Sequence, residues 1–347
     1  MVESSGQILL LSDPRGWFWK KYNNRNQTES LDVTQIEDNL VTAGFQVEIA
    51  NIAKLDWTRN YRGIYIVYTS SEDFNGGTKS FVEDVLLWLD KQGAILIPSY
   101  SYFRAHHNKV MMELLRHSLP DSDMQTIQSQ IFPSSKRALE QPFTLPVVVK
   151  SASGAGSHGV ALAKTKKQFI RVVRRLSKLD GWDFAALFRV RNVLRAFKRQ
   201  GPVNYHNEKF VIQNFVPNLS GDYKVLVFDD RYFVLHRQNR QNDFRASGSG
   251  QFIAIPPEEI QGVLDFAKKC QTAIYVPFLS LDIGFDGCRH HLIEFQCVSF
   301  GLKALTLSSG YYESGDNGTW QYVEKQSIPE LEFSRALIIY LQTTYMT

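Results

Sequence analysis

The sequence predicts an α/β protein that turns α+β in its C-terminal part, and three observations carry that prediction. Strand patterns alternate with helix patterns through the first hundred residues, the signature of a parallel sheet in an α/β layer. Around Lys150 a hydrophobic strand ends in a lysine, runs into a Gly/Ser loop and resumes as another strand. Near the C-terminus, FLSLDIGFDGCRHHLIEFQCVSFG (278–301) reads as two strands folded back through an Asp286-Gly287 turn.

The elements follow in order. QILLL (7–11) is a short buried strand that ends at Ser12-Asp13-Pro14. A helix is predicted over 32–43, with Val33, Ile36, Leu40 and Val41 on one side and Gly44 just past its end. Strands are predicted at 45–49 and at 63–68, the latter apolar enough to be buried on both faces. A helix over 79–91 is closed by Gly93 and followed by a strand at 94–98. No Gly-x-Gly-x-x-Gly follows the first strand, so a dinucleotide-binding reading lacks its phosphate loop. Residues 1–104 are taken as one α/β support domain, 105–212 as a small lobe and 213–347 as a large lobe.

Composition sets the limits. With 347 residues, 44% hydrophobic and 13% aromatic, the chain can bury a large core divided among two or three subdomains. No apolar run reaches the 18 or more residues of a membrane span. The start, MVESSGQILLLSDPRG, lacks a basic n-region, so no signal peptide is expected. Cysteines at 270, 288 and 297 show no metal spacing and suit a reducing interior, hence a cytoplasmic location. The net charge of +4 hides an asymmetry: from Lys164 to Arg199 there are 12 Lys+Arg against two Asp. Within that block 168–176 and 184–199 read as helical, with Leu187, Val190, Leu194 and Phe197 as one apolar stripe. Such a helix either packs its stripe on the body, or meets an anionic membrane surface or an acidic polymer. No aromatic-stacking, zinc or helix-turn-helix pattern favours nucleic acid.

Four constellations carry chemistry. His106-His107-Asn108-Lys109 opens a helix over 110–117. Val147-Val148-Val149-Lys150 enters Ser151-Ala152-Ser153-Gly154-Ala155-Gly156-Ser157-His158-Gly159, where glycines allow close backbone approach and lysine adds a point charge, an arrangement that folds over polyphosphate. Strands at 210–216, 221–228 and 232–236 lead to Arg237, Arg240 and Arg245 beside Gly248-Ser249-Gly250, a loop suited to phosphate or carboxylate. In the hairpin, a loop centred on Cys288 places Asp282 opposite Glu294, with Gln296 on the same face. Facing carboxylates repel unless a cation lies between them, and hard oxygen donors suit magnesium. An ordinary hairpin with one solvated polar face satisfies the same pattern. The segment Ser308–Trp320 reads as a long loop, lining a pocket or joining the hairpin to a last helix over 331–345.

With these pieces in place, the chain resembles the ATP-grasp superfamily, nearest its glutathione-synthetase-like and ribosomal-protein glutamate-ligase-like branch. The resemblance spans most of the chain and rests on the order of HHNK, VVVK with SASGAGSHGV, VIQNFVP, GDYKVLVF, HRQNRQNDFRASGSG and LDIGFDG with LIEFQ. It implies a two-lobed ATP-grasp fold behind the N-terminal domain. It implies that Lys109 and Lys150 hold ATP phosphates, and that Ser153, Gly154, Gly156, Ser157 and Gly159 belong to the loop over the triphosphate. Gln213, Asn214, Phe215 and Val216 match the segment joining the lobes at the adenine edge. Asp222 and Lys224 match an Asp-x-Arg pattern, with lysine for arginine. Arg237 matches the arginine on the transferred phosphate, and Asp282, Glu294 and Gln296 match the metal-binding Asp, Glu and Asn. Gln296 departs from asparagine, Asn214 from a common glutamate, and Val298-Ser299-Phe300-Gly301 from a small-residue Pro-Gly exit.

The resemblance implies ligation of a carboxylate to an amine through an acyl phosphate, with ATP and magnesium (Mg2+), or manganese (Mn2+) in its place. Arg240 and Arg245 would orient the acid or steady the acyl phosphate. Substrates would be small molecules, or peptide or glycan acids and amines, with an anionic substrate suggested by the basic block. A homo-oligomer is compatible with this reading. A small-molecule kinase of the same fold and a non-catalytic ATP-binding regulator remain the alternatives.

Overall fold

Each third of the chain contributes one main sheet to the computed structural model, which describes residues 6–22, 27–71, 77–153, 159–176, 193–195, 197, 209–241, 243–246, 251–315 and 318–345. The first sheet begins with β1 (Gln7–Ser12); a two-stranded ribbon, β2 (Lys21–Tyr22) and β3 (Thr28–Glu29), follows outside it. Helix α1 (Val33–Thr42) starts where Asp32 accepts the backbone N–H groups of Thr34 and Gln35, and buries Ile36 and Leu40. Then come β4 (Gln46–Asn51), β5 (Tyr65–Tyr68), α2 (Gly77–Lys91) and β6 (Ile95–Ile97). The four strands are parallel in the order β4-β1-β5-β6. All four residues of β5 are buried, as its apolar run predicts.

Helices α3 (Tyr100–His106) and α4 (Lys109–His117) lead into the second sheet, and the Asn108 side chain caps α4 by accepting the Met111 N–H. This sheet holds β7 (Ser129–Phe132), then after α5 (Ser135–Glu140) come β8 (Val147–Ser151) and β9 (Val160–Ala163). After α6 (Lys166–Leu176) it gains β10 (Phe210–Asn214), in the antiparallel order β7-β10-β8-β9. α6 buries Phe169, Val172 and Val173 and exposes Lys166, Lys167, Arg171, Arg174 and Arg175. The apolar stripe expected farther on does not pack on the body where it is described: Leu194 is 57% and Phe197 83% exposed. Leu187 and Val190 lie outside the described residues.

The third sheet is the largest. It contains β11 (Gly221–Phe228), β12 (Arg231–Gln238) and β13 (Phe252–Ile253), then α7 (Pro257–Ile274), β14 (Phe278–Phe285) and β15 (His290–Gln296). α8 (Lys303–Leu307), β16 (Tyr311–Ser314), β17 (Trp320–Val323) and α9 (Pro329–Tyr345) complete the chain. Its main path is β15-β14-β11-β12-β16-β17, with β13 also on β12. The segment 308–320 is therefore not a long loop. Tyr311–Ser314 pairs with β12 and with Trp320–Val323, because the aromatic and β-forming residues of YYES and WQYV outweigh the surrounding Ser and Gly.

The two faces of this sheet differ. Tyr223, Val225, Val227, Leu279, Leu281, Ile283, Leu292 and Phe295 point to one side, into a core shared with α7 and α4. On the other side Leu226, Phe228, Phe233 and Phe278 join the core of the N-terminal sheet and of α9. Phe278 stacks on Phe333 of α9 at 4.0 Å, and Trp19 meets Phe278, Phe300 and Phe333 edge-on. The last helix thus packs with the first domain, which fixes the large sheet against the parallel one.

Candidate active site

The second face of the large sheet becomes charged toward one end. Alternation places Asp222 and Lys224 of β11, Arg237 of β12, Asp282 of β14 and Glu294 and Gln296 of β15 on it. Register makes them neighbours: Asp222 lies opposite Arg237, Lys224 opposite Asp282, and Asp282 opposite Glu294. The last pairing depends on a bulge. Between Phe285–His290 and Ile283–Leu292 the hairpin is regular, and the register then shifts so that Ile293 is the extra residue. Without the bulge Asp282 would face Ile293; with it, Glu294 swings into line. Strict alternation along β15 fails at this point, and Leu292 is buried together with Phe295 and Cys297. The Leu292 carbonyl at the bulge accepts a hydrogen bond from Arg116 Nη1 at 2.7 Å.

Cations hold the acids in place. Lys224 Nζ is 2.8 Å from Asp282 Oδ1, and Arg237 Nη2 is 2.9 Å from Asp282 Oδ2. Arg237 also grips Asp222 with two bonds of 2.6 and 2.8 Å. Burial and the charge of Asp282 push Asp222 up to about 6, against the pull of Arg237 and Lys224. Burial also opposes ionisation of Asp282, but Lys224 and Arg237 outweigh it and hold that carboxylate well below its usual range. Of the two acids sharing Arg237, Asp222 therefore takes up a proton first. Gln296 donates its amide N–H to Glu294 Oε1 at 3.4 Å, a loose contact.

The second sheet brings a lysine to this charge. Lys150, the fourth residue of the buried strand β8, is 6% exposed; burial lowers its pKa, while Glu113 and Glu294 favour its charged form and Arg116 and Lys109 oppose it. Lys150 of the second sheet is thus within electrostatic reach of Glu294 of the third. The Lys109 backbone N–H is held by the Ala152 carbonyl at 2.9 Å, so α4 begins against the Gly/Ser loop. Ser153 lies at the start of that loop, where its carbonyl accepts from Ser151 Oγ at 2.9 Å. Gly159 closes it with φ +77, and a Cβ there would stand 2.0 Å from Ser151 Oγ. Gly154, Gly156 and Ser157 lie outside the described residues.

Sequence reasoning missed Glu113 and Arg116. Both are buried on α4 and ion-paired to each other, and Glu113 Oε1 accepts from Gln213 Nε2 at 2.9 Å. Charged residues three apart within MMELLRH were the available signal. The Gln213 side chain is thus directed inward, while Asn214 is exposed and its N–H bonds the Gln128 carbonyl at 3.1 Å. Phe215 N–H reaches the Pro146 carbonyl at 3.4 Å, its ring meets Phe244 edge-on at 6.2 Å, and Val216 is buried.

The arginines separate. Arg237 is part of the charged face, but Arg245 pairs with Asp243 at 2.5 Å and donates to the Val160 carbonyl of β9 at 3.2 Å. Arg240 closes the same loop through its backbone, N–H to the Arg245 carbonyl at 3.1 Å. The loop after β12 therefore touches the strand that follows the Gly/Ser loop. On the opposite face of the sheet, Tyr223, His236, Glu259, Phe285 and Asp286 line a cavity of about 190 Å³. No charged-face residue lines it.

No protein-family model matches the sequence, and no curated protein matches it. Solved structures do match its shape. D-cycloserine synthetase DcsG aligns over 97% of this chain and 100% of its own, with a TM-score of 0.52 at 14% identity. ATP-grasp ligase PsnB, complexed with precursor peptide PsnA2 and AMPPNP, aligns over 98% and 99%, with a TM-score of 0.50 at 12% identity. N5-carboxyaminoimidazole ribonucleotide synthetase in its ADP complex aligns over 89% and 74%, with a TM-score of 0.50 at 11% identity. The chain has an ATP-grasp fold.

Two groups of residues are chemically able to hold a nucleotide's phosphates and a divalent cation. Buried Lys109 and Lys150, and a Gly159 position that a side chain would fill, suit phosphates. Among the described residues no cluster of three or more His, Cys, Asp or Glu gathers as a metal site. The candidate donors are instead two opposed carboxylates, Asp282 and Glu294, and the amide of Gln296. That all-oxygen set suits magnesium rather than zinc. No helix among the described residues is long and apolar enough to cross a membrane.

Proposed function

We propose that this protein is an ATP-dependent ligase that joins a carboxylate to an amine through an acyl phosphate, releasing ADP and phosphate. The observation that carries the reading is Lys150, buried beside Lys109 and within electrostatic reach of Glu294, which lies opposite Asp282 in the β14–β15 hairpin. A carboxylate attacking the γ-phosphorus brings two negative groups together, and a site must neutralise both.

Magnesium held by Asp282, Glu294 and Gln296 would supply charge neutralisation at the phosphate oxygens. Lys109 and Lys150 bind phosphate oxygens from the small lobe. Arg237, held by Asp222 and Asp282, presents its guanidinium beside the transferred phosphate. Lys224 neutralises Asp282 and keeps it ionised as a ligand. Ser153 and Gly159, at the two ends of the Gly/Ser loop, border the triphosphate, and Arg245 ties the arginine loop to the strand that follows Gly159. Gln213 to Val216 borders the adenine, with Gln213 itself anchored on Glu113. In this arrangement Arg245 also shapes the loop, and Arg237 is the arginine that carries the phosphate role.

The acid and amine are small molecules or the side chains of a peptide. PsnB, whose structure holds a precursor peptide, supports including peptides. The exposed basic face of α6 favours an anionic substrate.

The phosphorus of ATP tests the reading. The chain is incubated with ATP, magnesium and pooled acids and amines. ADP plus free phosphate, formed only when both pools are present, is the expected result. A phosphorylated product would mean a kinase, unchanged ATP a binding protein, and AMP with pyrophosphate an adenylating enzyme; each would overturn the ligase.

A further inference from the structure

We infer that Ser280 is a positioning residue for Gln296, accepting its amide N–H so that the amide oxygen turns toward Asp282 and Glu294. The inference rests on reading this face as the magnesium-nucleotide site. Ser280 lies directly opposite Gln296 in the β14–β15 register and shares its face with Asp282, two residues on. Side chains in such opposed pairs start about 5 Å apart, within reach of a glutamine arm. Ser280 is 1% exposed, and its Oγ is buried with no hydrogen-bond partner. Its neighbour on the other flank of β14 is Leu226, which offers no polar group.

Two loose ends meet here. A buried hydroxyl without a partner is costly, so its presence calls for a partner in another state of the site. Gln296, for its part, directs its N–H at Glu294 with a bond of only 3.4 Å. With Asp282 and Glu294 holding a cation, that N–H would be disfavoured and the amide oxygen favoured on the side of the carboxylates. Turning the amide by half a revolution takes its N–H away from Glu294, and Ser280 Oγ is the unpartnered acceptor across the strand. A glutamine has one more rotatable bond than asparagine, so its oxygen needs a second fixed point to act as a directed ligand. Ser280 supplies that point.

The test uses Mn2+ binding, followed by electron paramagnetic resonance with saturating AMPPNP, together with the melting temperature of the metal-free protein. Ser280→Ala is expected to weaken Mn2+ binding about tenfold, the usual scale for a residue that orients a ligand. The metal-free melting temperature should stay level or rise, since an unsatisfied hydroxyl is removed. With Gln296→Asn already in place, Ser280→Ala should change Mn2+ affinity by less than about twofold, because the shorter arm no longer depends on it. Ser280→Cys, similar in size but a weak hydrogen-bonding group, should fall between wild type and Ser280→Ala. Unchanged affinity in both Ser280 variants, an equal loss in the Gln296→Asn background, or a lowered metal-free melting temperature would each overturn the inference. A wild-type chain that binds no Mn2+ with AMPPNP would instead defeat the nucleotide-site reading, and the role of Ser280 with it.

Discussion

The two faces of the large sheet are made by the same strands yet solve opposite problems. On the side under α7, every second residue of β11 and β14 is apolar, from Tyr223 to Val227 and from Leu279 to Ile283. The other side changes character along its length. Phe228, Phe278 and Phe233 pack on the N-terminal sheet, Leu226 and Ser280 mark the border, and beyond them lie Lys224, Asp222, Arg237 and Asp282. Period-2 patterning alone cannot distinguish a wet face from a site, since both read as alternation. The distinction lies in burial: Asp222 and Asp282 are 5% and 8% exposed, and both are neutralised by cations from adjacent strands. Charges kept dry and paired in this way cost stability that a solvated face does not. The first face should therefore govern folding and the second should govern chemistry.

The sharpest separation comes from truncating charges that face the nucleotide. Lys150→Ala and Glu294→Ala should each slow ADP release by about a hundred- to a thousandfold, the scale of losing one preorganised charge. Initial rates near those of wild type in both variants would erase the distinction between the faces. Leu281→Ala, buried on the opposite side of β14, should cost about 2–5 kcal/mol in urea unfolding. The protein that stays folded should bind AMPPNP as before.

Smaller effects depend on pH. Burial lowers the pKa of Lys150 from its ordinary 10.5, so this lysine loses its proton earlier than a free one as pH rises. Nucleotide affinity should fall on the alkaline side through that depressed pKa, and Lys150→Arg should flatten the profile, which calorimetric titration can follow. Least in size is the effect of Asp222. Its pKa is raised from 3.8 to about 6, so between those values the folded chain holds a proton that the unfolded chain releases. Stability should therefore decline as pH rises through that window. Asp222→Asn should remove this slope in melting curves.

Much of this arrangement is legible in the sequence, for reasons that can be named. The β11 and β14 alternations and the Lys150 strand are local patterns, and local patterns survive folding. The opposition of Asp282 and Glu294 follows from centring the hairpin on Cys288, though what produces it is the bulge at Ile293. A bulge depends on which residue the partner strand skips, and nothing local marks that. Helix α7 goes unpredicted above although its signals are present: Pro257 followed by Glu258 and Glu259, and an apolar series from Val263 to Ile274 that is buried. The hairpin at 311–323 is obscured because Ser309, Gly310 and Ser314-Gly315 dilute four-residue strands. Glu113 and Arg116 are the least legible, because their partners, Gln213 and the Leu292 carbonyl, are 100 and 176 residues away.

Calorimetric titration of magnesium-AMPPNP into three proteins tests the central claim most directly: wild type, Glu294→Gln on the charged face, and Glu259→Gln beside the cavity on the opposite face. Magnesium-dependent binding that is lost in Glu294→Gln and kept in Glu259→Gln is the predicted result. Equal affinity in wild type and Glu294→Gln, or loss confined to Glu259→Gln, would place the nucleotide elsewhere and contradict the account.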